Sequence, residues 1–197
     1  GTAVTPQLAS SELRVPGRHN VANALAAAVA GQAMGVAPEA IAAALREFTG
    51  VPRRLERVGE KDGVLWVNDS AATTPAATLT ALEAFDRPAV AILGGVAKGA
   101  DFAGLARGLV GKARGAVLIG QAADDIAAAI SAAGARDIVV KRAATLADAV
   151  DAAHQIARPG DVVLLSPACA SFDMFTSADD RGDTFVALVR PLVGAAS

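Results

Sequence analysis

The sequence predicts an α/β protein: a mostly parallel sheet with helices on both faces, an antiparallel edge, and a small helical piece in front of it. Three observations predict this. The runs at 89–93 and 162–165 are apolar without polar alternation, as a strand buried on both faces requires. Segments of helical length separate the apolar runs from 89 onward, which gives repeating strand–helix units. The runs at 55–58 and 64–67 are joined instead by a turn around Asp62-Gly63, so they form a hairpin rather than a crossover.

The elements follow in order. A first helix is expected from Asn20, with Leu25 and Val29 at helical spacing and Gly35 near its end. Pro38 can open a second helix, with Ile41 and Leu45 as its apolar stripe. Gly50-Val51-Pro52 then breaks the pattern. Two helices alone cannot bury both of their faces, so a domain boundary belongs at this point, dividing the chain into 1–52 and 53–197. The opening GTAVTPQLASSELRV reads as the tail of an earlier domain. After the hairpin a helix covers 75–85, started by Thr74 as cap and Pro75 in the first turn. Strand 89–93, a helix after Asp101, strand 116–119 and a helix over 122–133 come next. Strand 138–140, helix 146–157, the strand at Val162 and a last helix over 178–192 complete the chain. Ser177 and Asp180 have the spacing of a capping box.

Composition narrows the function classes. The 53% apolar content supplies a core, and the net charge of −2 gives no basic surface for nucleic acid or anionic lipid. No run approaches the ~18 apolar residues of a membrane span, and no signal peptide opens the sequence. The single cysteine, Cys169, excludes a disulfide within the chain and fits a reducing, cytoplasmic compartment. Two histidines and one cysteine do not encode a complete metal site.

Ligands in parallel sheets bind beyond the carboxyl ends of the strands, so the loops after three strands hold the candidates. The first, 68–75, places Asp69 and Thr73 beside the positive end of a helix, although capping by Thr74 alone explains much of it. The second, 94–101, joins two glycines to Lys98, whose charge suits a carboxylate or phosphate; as a glycine-rich turn with a surface lysine it is a weak signal by itself. Asp101 is explained as a cap. In the third, 166–175, Ser171 can donate to an anion and Phe172 can form an apolar wall. Cys169 fits a buried thiol better than a nucleophile, because no histidine can be placed beside it. His154 fits an exposed helix position. Neither GxxxxGK[ST] nor GxGxxG occurs in the sequence, which argues against a Walker loop and against an NAD-dependent oxidoreductase.

Taken together, several motifs resemble the Mur ligase family. They are Gly17-Arg18-His19-Asn20-Val21-Ala22-Asn23, Arg53-Arg54-Leu55-Glu56, Asn68-Asp69-Ser70, and Gly94-Gly95 with Lys98-Gly99-Ala100-Asp101-Phe102. The most specific is Ser166-Pro167-Ala168-Cys169-Ala170-Ser171-Phe172-Asp173, followed by Arg181-Gly182, which points to the branch that adds D-glutamate. The resemblance implies that 1–52 is a helical remnant closing a central ATPase domain and that 53–197 is a Rossmann-like amino-acid-binding domain. It implies a ligase that uses ATP and Mg2+ to join D-glutamate to UDP-N-acetylmuramoyl-L-alanine through an acyl phosphate, in concert with its own N-terminal domains. It assigns D-glutamate to Thr73, Lys98, Ser171 and Phe172, and the nucleotide side to Asn20, Asn23, Arg54 and Asp69. ATP and Mg2+ would be held mainly by other sequence, so the chain alone is expected to be inactive as a ligase. The sequence departs from the family pattern at Ala71, where a lysine is usual, and at Arg53, Thr74, Ala97 and Ala178. Two alternatives remain: a non-catalytic ligand-binding or regulatory domain, and a relative of folylpolyglutamate synthase.

Overall fold

A computed structural model describes residues 8–194, and the expectations that fall on 1–7 and 195–197 lie outside the described residues. The chain divides into two compact units, one ending at Val51 and the other beginning at Pro52.

In the first unit a 3-10 turn at Ser10–Glu12 precedes α1 (Arg18–Ala33) and α2 (Pro38–Glu47). Pro38 occupies the first helical turn, where its missing N–H costs nothing. Among the described residues of this unit Ala42 is the one buried apolar side chain, whereas Leu25 is 63% and Val29 67% exposed. The helices are in place; the apolar stripe of α1 is exposed, while Ile41 and Leu45 of α2 are half-buried.

The second unit carries β1 (Glu56–Lys61), β2 (Val64–Asn68), α3 (Pro75–Glu83), β3 (Ala89–Gly94), α4 (Ala103–Leu109), β4 (Ala113–Ile119), α5 (Ala123–Ala132), β5 (Val139–Arg142), α6 (Leu146–Ile156), β6 (Val162–Leu165) and α7 (Ala178–Val193). Among the described residues the sheet has six strands in the order β1-β2-β6-β3-β4-β5. Only the β1–β2 pair is antiparallel; β2–β6, β6–β3, β3–β4 and β4–β5 are parallel. The hairpin turn uses two left-handed residues, Asp62 at φ 52° and Gly63 at φ 75°, the backbone that a tight two-residue turn demands. β1 begins one residue later than expected and runs on to Lys61, with a register shift between Arg57 and Gly59.

Alternate residues of the inner strands enter two separate cores. Ala91, Leu93, Leu118 and Leu164 pack with Leu105 and Leu109 of α4 and Ile126 and Ile130 of α5. Val90, Ile92, Val117 and Leu165 pack with Val150 of α6 and Phe185 and Val189 of α7. Helices α3, α4 and α5 therefore cover one face and α6 and α7 the other, which is why the central strands β3 and β6 carry no polar side chain. Truncating a fully buried member such as Ile92 to alanine costs about 2–5 kcal/mol.

Candidate functional site

The site lies where the chain changes faces. β6 is inserted between β2 and β3, parallel to both, so the loops after all three leave the same rim. β2 and β3 lead into helices on one face, while β6 leads into α7 on the other. A crevice at the carboxyl ends of the strands is the geometric result.

Backbone bonds knit the three loops together. Asp69 N donates to Leu165 O at 2.8 Å and Ala168 N to Ala72 O at 3.0 Å, joining the first loop to the third. Gly94 N donates to Pro167 O at 2.8 Å, and Val96 and Ala170 exchange bonds of 2.8 and 3.1 Å, joining the second to the third. Gly94 and Gly95 sit at φ 124° and 127°. A Cβ at Gly95 would strike the Ala170 carbonyl, so the contact between these loops needs glycine.

Arg181 is the side chain that holds the cluster. It is 1% exposed, and its guanidinium donates to Ser70 O at 3.1 Å, Cys169 O at 3.0 Å and Gly94 O at 3.5 Å, one carbonyl from each loop. Burial pulls its pKa down to about 10, partly offset by Cys169 and Asp173, and it remains a cation at neutral pH. Arg181 belongs to the family motif, but the sequence alone gives it no role in the site. The signal was legible: Arg181, Phe185 and Val189 lie four apart on the buried stripe of α7, an unusual place for an arginine.

The first loop has its own internal brace. Asp69 accepts from Leu55 N at 3.2 Å and from the Ser166 hydroxyl at 2.8 Å; Ser166 Oγ lies 3.1 Å from Thr78 Oγ1, which donates to Ser166 O. Burial pushes the Asp69 carboxyl up to about 6 against the pull of these bonds and of Arg54. Both carboxylate oxygens are thus engaged within the protein. Asn68 also serves the loop, accepting from Ser70 N and donating to Glu56 and to Gly182 O. Thr74 caps α3, accepting from Ala77 N at 3.3 Å. Thr73, one residue on from Ala72, is exposed at the helix start.

In the second loop Lys98 is exposed, its backbone left-handed at φ 48°. In the third loop Ser171 is 2% exposed and Phe172 65% exposed. The Lys98 ammonium lies over the Phe172 ring, 5.4 Å from its centroid. Ser171 Oγ has no hydrogen-bond partner, and the other buried side-chain atoms without one, among the described residues, are Ser70 Oγ, Asp173 Oδ1 and Arg181 Nε. All four belong to these loops or to the first turn of α7, and buried polar atoms without partners are otherwise rare. Thr73, Lys98, Ser171 and Phe172 therefore share one rim.

The nucleotide-side candidates are divided between the units. Asn20 donates to Pro16 O at 2.7 Å and Asn23 to Asn20 Oδ1 at 3.3 Å, both within the first unit. Arg54 belongs to the second unit and is exposed, held between Arg53 at φ 63° and Leu55 at φ 48°. Arg53 itself is bidentate to Asp183 of α7. Cys169 is a buried thiol, its pKa raised to about 11 chiefly by burial, so it stays protonated and unreactive at neutral pH. The capping box at α7 is rearranged: Ser177 accepts from Asp180 N, but the Asp180 carboxylate turns to the N–H and hydroxyl of Thr176.

The fold is an α/β domain of Rossmann-like type, with the loop cluster at one rim of its sheet. Solved structures of similar fold include a UDP-N-acetylmuramate-alanine ligase from Thermotoga maritima (TM-score 0.68, 22% identity, 91% of this chain and 40% of that one). A folylpolyglutamate synthase from Mycobacterium tuberculosis is also similar (TM-score 0.64, 21% identity, 93% and 42%). Residues 53–169 match the family described as Mur ligase, glutamate ligase domain, and the chain belongs to that family. Among curated relatives, the UDP-N-acetylmuramoylalanine–D-glutamate ligase of Pelotomaculum thermopropionicum is 49% identical over 93% of this chain and 40% of its own length. The relative of the same name from Solibacter usitatus is 51% identical over 93% and 40%. The chain thus spans about two fifths of the length of these relatives.

Proposed function

We propose that this chain supplies the amino-acid half of an ATP-dependent ligase that joins D-glutamate to UDP-N-acetylmuramoyl-L-alanine in peptidoglycan-precursor synthesis. The observation that carries the reading is the convergence at one rim of the Lys98 ammonium, the unpartnered Ser171 hydroxyl and the N-terminus of α3. A dicarboxylate with a free amine is a ligand that such a donor set recognises. The curated relatives that carry this activity in their names support the choice of substrate.

In this reading Lys98 and Ser171 take the carboxylates, Thr73 adds a donor at the helix start and Phe172 walls the pocket. The residues hold and orient; no bond chemistry is assigned to them. With D-glutamate fixed, its amine attacks an acyl phosphate presented by the other substrate, a tetrahedral intermediate forms, and phosphate leaves. The contribution is proximity and orientation. Asn20, Asn23 and Arg54 are assigned to the nucleotide side, and Asp69 acts there through the loop it braces. Among the described residues no group of three or more His, Cys, Asp or Glu side chains could hold a metal ion, and the sequence has no GxxxxGK[ST]. These residues by themselves supply neither such a cluster nor a Walker loop, so no step is routed through Mg2+ or the ATP phosphates. The remainder of a protein of the relatives' length is the implied partner, and the cytoplasm the implied location. Among the described residues no helix is long and apolar enough to cross a membrane.

Titration of the 197-residue chain with D-glutamate and L-glutamate, followed by NMR, tests the reading. Binding of D-glutamate in preference to L-glutamate, weakened about 10- to 100-fold in Lys98→Ala, is expected. A preference for L-glutamate would transfer the chain to a folylpolyglutamate-type activity.

A further inference from the structure

The loop cluster contains one contact that recognition of the substrate does not require. Lys98 is exposed and makes no ion pair among the described residues, although Arg53 on the same unit is paired with Asp179 and Asp183. Phe172 leaves an aromatic ring 65% exposed directly after four small residues, 168–171. Both ends of the contact are held in place. Lys98 leaves a turn of left-handed backbone, φ 48° followed by Gly99 at φ 75°. Phe172 follows Ala170, which is bonded both ways to Val96, and Ser171, whose carbonyl accepts from Met174 N and Phe175 N. The ammonium then lies 5.4 Å from the ring centroid, within the ~6 Å reach of a cation–π contact.

We propose that Phe172 is a positioning residue for the Lys98 ammonium: its ring keeps the cation at the mouth of the loop cluster, in place for a substrate carboxylate. The inference rests on the anion-binding reading of these loops and adds what sets its affinity. A freely solvated lysine must surrender rotamer freedom when it meets an anion, and one already resting on a ring surrenders less. A cation–π contact at an exposed site is weaker than a charge-assisted hydrogen bond, so the ring does not retain the ammonium against a carboxylate. A ring that served only as an apolar wall would touch the substrate's methylenes and be indifferent to the charge on residue 98.

NMR of the 197-residue chain separates these roles. In the ligand-free wild type the Lys98 Hε protons are expected upfield, shifted by the ring current, and at their ordinary position in Phe172→Leu. Unshifted Lys98 protons in the wild type would overturn the proposal whether or not any ligand binds. Titration with D-glutamate is expected to show binding weakened about two- to fivefold in Phe172→Leu and restored in Phe172→Trp. In a Lys98→Met background the Phe172→Leu loss should shrink to what the ring contributes as a wall; an undiminished loss there would make the ring a wall alone and overturn the proposal. Shifted Lys98 protons in a wild type that fails to bind D-glutamate would instead sink the substrate assignment and leave the ring contact standing.

Discussion

At the amino-terminal rim of the sheet a buried charge is fully answered; at the carboxyl-terminal rim one is not. Asp161, 1% exposed at the start of β6, accepts from Nε and Nη2 of Arg114 and from Arg158 N. Among the described residues no buried side-chain atom there lacks a partner. Arg181 is equally buried, yet it donates only to carbonyls, keeps Nε unpartnered and lies among hydroxyls in the same condition. A closed polar network of the first kind can only hold a fold together. A network of the second kind keeps donors in reserve, at a stability cost, and such sites cluster where ligands bind.

The contrast can be broken most directly at Arg181. Arg181→Met strips a donor from three loop carbonyls, each worth about 1–3 kcal/mol when left unsatisfied, and release of the buried charge offsets part of that. A net loss of about 3 kcal/mol in denaturant unfolding is expected, together with loss of D-glutamate binding. Unchanged stability would show that the loops hold one another without it. Asp161→Ala should cost about 2 kcal/mol by stranding Arg114 and Arg158 N, yet leave D-glutamate binding by the folded chain intact. Weakened binding in that variant would erase the distinction between the rims.

Asp69 sharpens the comparison through pH. Its folded-state pKa of about 6 lies above the ordinary 3.8, so the folded chain holds that proton more tightly than the unfolded one. The resulting stability is present in full below about pH 4 and is lost as pH rises through about 6. Asp69→Asn keeps an acceptor for Leu55 N and lets the Ser166 hydroxyl turn to Thr78. Its unfolding free energy should therefore lack this fall, a difference from wild type of up to about 3 kcal/mol between the ends of the window. Parallel pH profiles for the two chains would place the carboxylate in water. Lys98→Ala should change stability least, by under about 0.5 kcal/mol, as expected of an exposed side chain. It should nevertheless weaken D-glutamate binding about 10- to 100-fold, the value of one charge-assisted bond. His154→Ala, whose ring on α6 lies 6.1 Å from that of Trp66, should leave binding unaltered; equal effects of the two variants on binding would contradict the site.

Much of the sheet unit was legible because its signals are local or periodic. Unalternated apolar runs marked β3 and β6, Asp62-Gly63 marked the hairpin, and Thr74-Pro75 marked the start of α3. The rim was legible for a topological reason, since loops after parallel strands must leave the same edge. Side-chain direction was less legible. Asp69 turned inward to Ser166, and the Asp180 carboxylate bypassed its own cap for Thr176. The spacing of polar residues says who is near along the chain, not which donor an acid will meet once a distant loop folds over it.

The sequence by itself determined the order of strands and helices, the apolar faces of the inner strands and the family membership carried by Ser166–Asp173, because each is written in neighbouring residues. Tertiary structure alone decided that one arginine from α7 would hold carbonyls of three loops, and that Lys98 would rest on Phe172 rather than on a carboxylate. Those contacts join residues separated by up to 111 positions, and their partners are set by which strand β6 is inserted beside. No local pattern contains that information.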